Sequence, residues 1–202
     1  MILKALQYNL PIQDREFDMI YPKHIQKLSN QHWTSIDVAK KASFFLVNKP
    51  NVKVLDIGSG VGKFCIVGAL TTSGDFYGVE QRKELADISK QIVSKYRIVN
   101  LKFLHSNITD INFSDYNSFY FFNSFYENLD KSRIIDLNVK ISPHRYQEYR
   151  DYMYLQLSNA PIGTRLATYY SLYSEIPPGY KILETYFNDH LVFWIKDKML
   201  DW

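Results

Sequence analysis

The sequence predicts an α/β fold in three layers, with helices on both faces of a mostly parallel sheet of about seven strands that closes on an antiparallel hairpin. Three observations predict it. The middle of the chain alternates short apolar, β-branched runs with stretches of helical periodicity, the pattern of strands joined by crossover helices. Glycines 58, 60 and 62 directly follow one such run, where a parallel strand turns into its helix. The final stretch holds three strand-like runs, the last two joined by Asn188-Asp189, a link too short for a crossover and therefore antiparallel.

The elements follow in order. Residues 14–47 read as helical with a break at Tyr21-Pro22. Thr34 followed by Asp37 predicts a helix start, and Ile36, Ala39, Ala42, Phe45 and Leu46 form one apolar face out to Val47. Val52–Ile57 predicts the first strand, and 62–70 its helix. Asp75–Val79 predicts the second strand; Leu85, Ile88, Ile92 and Tyr96 give helical spacing over 82–96. Leu101–His105 and Tyr116–Phe122 complete the alternation. A helix is expected over 128–140, and Ser142-Pro143 (N-cap and first helical residue) starts another over 143–158. Strands are expected at 164–172, 180–187 and 190–197.

At 202 residues the chain suits one domain, 1–202, with residues 1–48 as an N-terminal helical cap and 49–202 as the sheet core. Apolar residues at 46% and charged residues at 22% are ordinary globular proportions. The 24 basic and 21 acidic residues leave a net charge of +3, too balanced to single out nucleic acid as partner. No apolar run approaches the roughly 20 residues of a membrane span, and no secretory signal is legible at the N-terminus. A single cysteine, Cys65, fits a reducing compartment. The chain therefore reads as cytoplasmic with no membrane partner. Histidines 24, 32, 105, 144 and 190 show no metal-ligand spacing, so no metal is expected.

The segment Val54-Leu55-Asp56-Ile57-Gly58-Ser59-Gly60-Val61-Gly62 carries the most chemistry. Glycines after a strand let the backbone approach a ligand, and the helix that follows offers free N–H groups to an anion. A dinucleotide fingerprint needs glycine where Lys63 stands. A P-loop needs glycine at Ile57 and a hydroxyl at Phe64, so both nucleotide motifs fail. Glu80 ends the second strand, where a carboxylate can accept hydrogen bonds from both hydroxyls of a ribose.

Together these residues resemble the class I S-adenosylmethionine (SAM)-dependent methyltransferases, over about residues 50–125 by motif and beyond by Rossmann-like topology. The resemblance implies SAM as cofactor. It places the family's glycine loop on Asp56, Gly58, Ser59, Gly60 and Gly62, and the ribose ligand on Glu80 with Gln81 beside it. Asn107 and Ile108, in His105-Ser106-Asn107-Ile108, fall where the family contacts adenine. Phe121-Phe122-Asn123-Ser124-Phe125-Tyr126 is similar to the Asn-Pro-Pro-Tyr/Phe motif of amino-methyltransferases. It is more loosely similar to the Asn-Asn-Phe of the non-SET histone lysine methyltransferases, giving an Asn-x-Phe-type motif at the end of strand four. That implies an Asn123 carbonyl orienting the acceptor beside the cofactor, with Tyr126 or Phe125 packed against it. Ser124 stands where the motif has proline, and Asn123 reads equally as a turn residue.

In several methyltransferases the segment before the first strand folds over the cofactor, a role that falls here on Trp33 and Thr34. The same two residues also read as a core tryptophan and a helix cap. The tyrosine stripe Tyr146, Tyr149 and Tyr152 reads as packing before it reads as a stacking platform. The expected function is methyl transfer from SAM to an amine nitrogen, protein lysine preferred. The alternatives are an RNA or DNA base methyltransferase, or a non-catalytic SAM-binding scaffold. The acceptor partner, whether protein, nucleic acid or small molecule, is not specified by the sequence.

Overall fold

The computed structural model describes residues 2–199; Met1 and residues 200–202, the ends of the expected single domain, lie outside them. The strands are β1 (Lys53–Ile57), β2 (Asp75–Glu80), β3 (Leu101–His105), β4 (Ser118–Phe121), β5 (Arg165–Tyr169), β6 (Tyr180–Tyr186) and β7 (Leu191–Lys196). They form one sheet in the order β3-β2-β1-β4-β5-β7-β6. β1 to β5 are parallel, and β7 inserts antiparallel between β5 and β6. The chain order reverses between β1 and β4, which places their carboxyl ends at the switch point where open α/β sheets bind ligands.

Alternation of side chains along each strand divides the core into two layers. Val54, Phe76, Tyr120, Ala167 and Phe193 face one side, with α5 (Ile36–Leu46) and α6 (Lys63–Thr71) packed over them. Leu55, Ile57, Phe119, Phe121, Leu166 and Trp194 face the other, under Tyr146, Tyr149, Met153 and Leu157 of α8 (Pro143–Asn159). α7 (Lys83–Tyr96) joins β2 to β3. Residues Lys63 to Ala69 of α6 are all buried, as befits a helix covered on every side. The sheet lies under one face of it and the N-terminal cap over the other.

The cap differs from the expected helical stretch. It consists of α1 (Ile2–Gln7), α2 (Asp14–Phe17), α3 (Lys23–Gln26) and α4 (Ser29–His32) before α5. α1 was not legible as a helix in the sequence; its Leu3 and Leu6 are buried against the core. α5 is capped by Ser35, whose hydroxyl accepts from the Val38 amide, so Thr34 is not the cap.

The helix expected over 128–140 is absent. Two short 3-10 turns, Tyr126–Asn128 and Lys131–Arg133, stand there instead. Asp130 Oδ1 accepts from the Ser132 amide at 2.9 Å and Asp136 Oδ1 from the Asn138 amide at 2.8 Å. Such local side-chain bonds satisfy the backbone without a helix. At Ser142 the reading holds, since its hydroxyl accepts from the Arg145 amide with Pro143 opening α8. Asn188 and Asp189 take left-handed φ values of 55° and 63° in the link between β6 and β7.

Candidate cofactor and methyl-transfer site

A cleft opens at the carboxyl ends of β1, β2 and β4. Asp56, Gly58, Ser59 and Gly60 from the β1 loop line it, with Glu80 and Gln81 from β2, and Asn107 and Ile108 after β3. Asn123 and Tyr126 after β4 line it as well, and Trp33 and Thr34 of the cap close its roof. Gly62 does not reach it. A Cβ there would lie 2.0 Å from the Phe103 ring, so Gly62 serves packing and caps α6 rather than lining the cleft.

Gly58 and Gly60 have left-handed φ values of 75° and 54°. A Cβ on Gly58 would fall 2.4 Å from Ser124 Cβ, and one on Gly60 2.4 Å from the Trp33 ring. These glycines thus let the post-β4 turn and the cap approach the loop, as well as sparing the backbone a strained conformation. Ser59 Oγ is buried and finds no hydrogen-bond partner among the described residues, although it lines the cleft.

The Glu80 carboxylate is buried, and each of its oxygens accepts one backbone amide: Oε2 from Gly60 at 3.0 Å and Oε1 from Arg82 at 2.8 Å. A carboxylate oxygen accepts two such bonds, so one lone pair remains on each. Burial pushes the Glu80 pKa up, opposed by these amides and by the Arg82 guanidinium. A ribose diol needs two such acceptors, and the Glu80 carboxylate offers them, while the Ser59 hydroxyl is turned toward Gly78 of β2. The donor set fits an adenosyl group.

Asn107 is partly committed elsewhere. Its Oδ1 accepts from the Thr109 amide at 3.1 Å, and its Nδ2 donates to Tyr149 Oη at 2.9 Å. Tyr149 in turn donates to Gln81 Oε1 at 3.2 Å. The Tyr149 ring packs in the core with Tyr146 and Met153 as expected, while its hydroxyl ties the two edges of the cleft together.

After β4, Asn123 takes a left-handed φ of 41°, and its carbonyl accepts from the Tyr126 amide at 3.1 Å, so it is a turn residue in backbone terms. Asn123 lines the cleft. Ser124 supplies what proline does not, because its hydroxyl donates to the Ile57 carbonyl at 2.7 Å and pins the turn to the end of β1. Thr34 is buried and hydrogen-bonded to Tyr120 Oη at 2.9 Å, joining the cap to β4. Trp33 is buried with its indole N–H donating to the Ile25 carbonyl at 3.2 Å. Trp33 is thus a core residue that also lines the cleft.

Sequence reasoning missed two ionic clusters. Lys63, noted only for breaking a dinucleotide motif, is buried and lies 2.7 Å from both Asp14 and Asp18 of the cap. Arg82 pairs bidentately with Glu127 at 2.8 and 2.7 Å. Partners 45 residues apart leave no local signal in a sequence.

Burial pushes the pKa of Asp56 up to about 7, against the Cys65 thiol that donates to it at 3.3 Å. An acid held above its unfolded value of 3.8 binds its proton more tightly when folded, so stability is highest below that value. It falls as pH rises toward 7. Thermal melts of Asp56→Asn are expected to show a shallower decline between about pH 4 and 7 than wild type, the remainder coming from Glu80 and Glu175, which burial also pushes up. Parallel profiles in the two proteins would contradict the assignment.

Among the described residues no group of three or more His, Cys, Asp or Glu is placed to hold a metal ion. No helix among them is long and apolar enough to cross a membrane.

Residues 48–137 match the family model of a methyltransferase domain. The fold matches magnesium protoporphyrin IX methyltransferase from Synechocystis PCC 6803, solved with bound SAM. The TM-score is 0.60 at 16% identity, over 91% of this chain and 90% of that one. It matches TrmN from Thermus thermophilus with a TM-score of 0.57 at 15% identity, over 87% of this chain and 52% of that one. The chain thus spans about half the length of the Thermus protein. An rRNA methylase from Streptococcus thermophilus matches with a TM-score of 0.50 at 15% identity, over 81% of this chain and 94% of that one. No curated protein sequence matches the chain. At these identities the structural likeness is one of fold, and the motif match is what ties it to chemistry. Residues 48–137 thus match a methyltransferase domain, and the chain carries that segment on a seven-stranded Rossmann-like sheet of the kind these solved methyltransferases share.

Proposed function

We propose that the chain, acting as one domain with residues 1–48 as its cap, transfers a methyl group from SAM to an amine nitrogen, with a protein lysine as the preferred acceptor. The observation that carries it is Asn123 at the cleft, in a turn at the end of β4 that Ser124 pins to β1. The cofactor supplies a methyl group already activated on a sulfonium. What remains for the protein is alignment, which can contribute several kcal/mol of barrier. Glu80 holds the ribose with Ser59 of the loop beside it, while Gln81, Asn107 and Ile108 frame the adenine. Asp56 and the glycine loop set the floor, and Trp33 and Thr34 exclude water from above. The Asn123 side-chain carbonyl accepts an N–H of a neutral acceptor amine and so aims its lone pair, while Tyr126 packs beside it. The buried, free Cys65 supports a cytoplasmic setting.

A nucleic-acid base is the second reading. Phe122 lines the cleft beside Asn123, and its ring centroid lies 4.8 Å from that of Tyr169 and 6.2 Å from that of Tyr170, which is exposed. Such a row can stack a base.

Asn123→Gly tests the first reading, because glycine keeps the left-handed turn and removes only the amide. Stability and SAM affinity are expected to stay close to wild type. Release of S-adenosylhomocysteine against protein fractions of a cell extract should fall by about 10²-fold. Equal rates in the two proteins remove Asn123 from the mechanism. Turnover only with RNA fractions favours the base, and SAM binding without turnover on any fraction favours a scaffold.

A further inference from the structure

Three carboxylates surround one guanidinium beside the cleft. Arg82 Nη1 and Nη2 donate to Glu127 Oε1 and Oε2 at 2.8 and 2.7 Å, and Nε lies 3.3 Å from Asp136 Oδ2. The third carboxylate is Glu80, whose Oε1 lies 4.0 Å from Nη1, beyond hydrogen-bond range. Arg82, Glu80 and Glu127 are all buried, so the guanidinium is held away from Glu80 by its partners and not by solvent. A buried guanidinium deprived of one carboxylate moves to the next, because an unpaired buried charge is costly.

We infer that Glu127, assisted by Asp136, is a positioning residue for the cofactor: it holds the Arg82 guanidinium off Glu80 and so keeps a Glu80 lone pair open. The inference rests on the reading of Glu80 as ribose ligand. Glu80 has one spare lone pair on each oxygen once the Gly60 and Arg82 amides are counted. A guanidinium N–H on Oε1 would use one of them, and a ribose hydroxyl would have to displace a charge-assisted bond. Glu127 also follows Tyr126, whose amide closes the Asn123 turn. The same ion pair therefore ties the post-β4 turn to the end of β2, so cofactor grip and acceptor geometry share one fastening.

The test is calorimetric titration of SAM into the full chain, with Glu127→Gln and the double variant Glu127→Gln/Arg82→Gln. Glu127→Gln is expected to weaken binding about ten-fold, since the released guanidinium turns to Glu80. The double variant is expected to recover to within about two-fold of wild type, because the competitor is gone. A merely structural role for the pair predicts no such rescue. Unchanged affinity in Glu127→Gln, or a double variant as weak as the single one, overturns the inference. Should Glu127→Gln fail to fold by circular dichroism, Asp136→Asn carries the test at a partly exposed position. A loss of about three-fold then supports the inference, and an unchanged affinity overturns it. Glu80→Ala separates the two levels. If it binds SAM normally, the ribose reading fails; if it alone loses SAM, only the role of Glu127 fails.

Discussion

Replacing Glu80 by alanine is expected to abolish measurable SAM binding while leaving a folded chain. Each hydrogen bond to a charged acceptor contributes roughly 1.5–3 kcal/mol, and a ribose makes two, so the loss is about 3–6 kcal/mol. On that scale affinity falls on the order of 10²- to 10⁴-fold. The variant also frees the Gly60 and Arg82 amides that Glu80 accepts, which slackens the glycine loop. Glu80→Gln separates the two effects, since its one carbonyl oxygen keeps part of the acceptor set. It is expected to lie between wild type and alanine in calorimetric titration. A Glu80→Ala affinity equal to wild type would place the ribose elsewhere.

Removing Lys63 should have the largest effect on stability. Its ammonium is buried between Asp14 and Asp18, 2.7 Å from each, with Ser29 Oγ a further acceptor at 3.4 Å. These bonds join the first turn of α6, directly behind the glycine loop, to the cap that carries Trp33. Deleting one partner of a buried pair costs about 3–5 kcal/mol, because the other charge stays buried without compensation. Against a total stability of about 5–15 kcal/mol that is a large share. Lys63→Ala is therefore expected to lower the melting temperature by roughly 10 °C. Apolar replacement of both partners, Lys63→Met with Asp18→Leu, should recover most of the loss. A Lys63→Ala melt within about 2 °C of wild type would show that the cap is held by its apolar contacts instead.

These two residues mark where the sequence was legible and where it was not. The strands of the parallel sheet were legible because a strand buried on both faces is a largely apolar run, as Val54, Leu55 and Ile57 are around the buried Asp56. Glu80 was legible because a strand end fixes its direction, and the glycine spacing sets the loop before it. Lys63 was not, since its meaning depends on Asp14 and Asp18, which only tertiary folding brings near. The same holds for Arg82 and Glu127, and for Thr34, whose hydroxyl is taken by Tyr120 across the core. The place of Gly62 was hidden for a related reason. Its spacing fits a ligand loop, but the Phe103 ring occupies the space a side chain would need. The absent helix over 128–140 failed on local chemistry, because Asp130 and Asp136 offered the backbone a competing set of bonds. Ser124 was legible as a departure from a motif; its compensating bond to Ile57 was not.

In the proposed function the cofactor's ribose sits on Glu80, its adenine beside Ile108 and its sulfur facing Asn123. A crystal structure of the chain with S-adenosylhomocysteine tests this most directly. Both ribose hydroxyls are predicted within hydrogen-bond distance of the Glu80 carboxylate, with the sulfur on the Asn123 side of the cleft. A product seated away from Glu80, or with its sulfur turned from Asn123, would contradict the account.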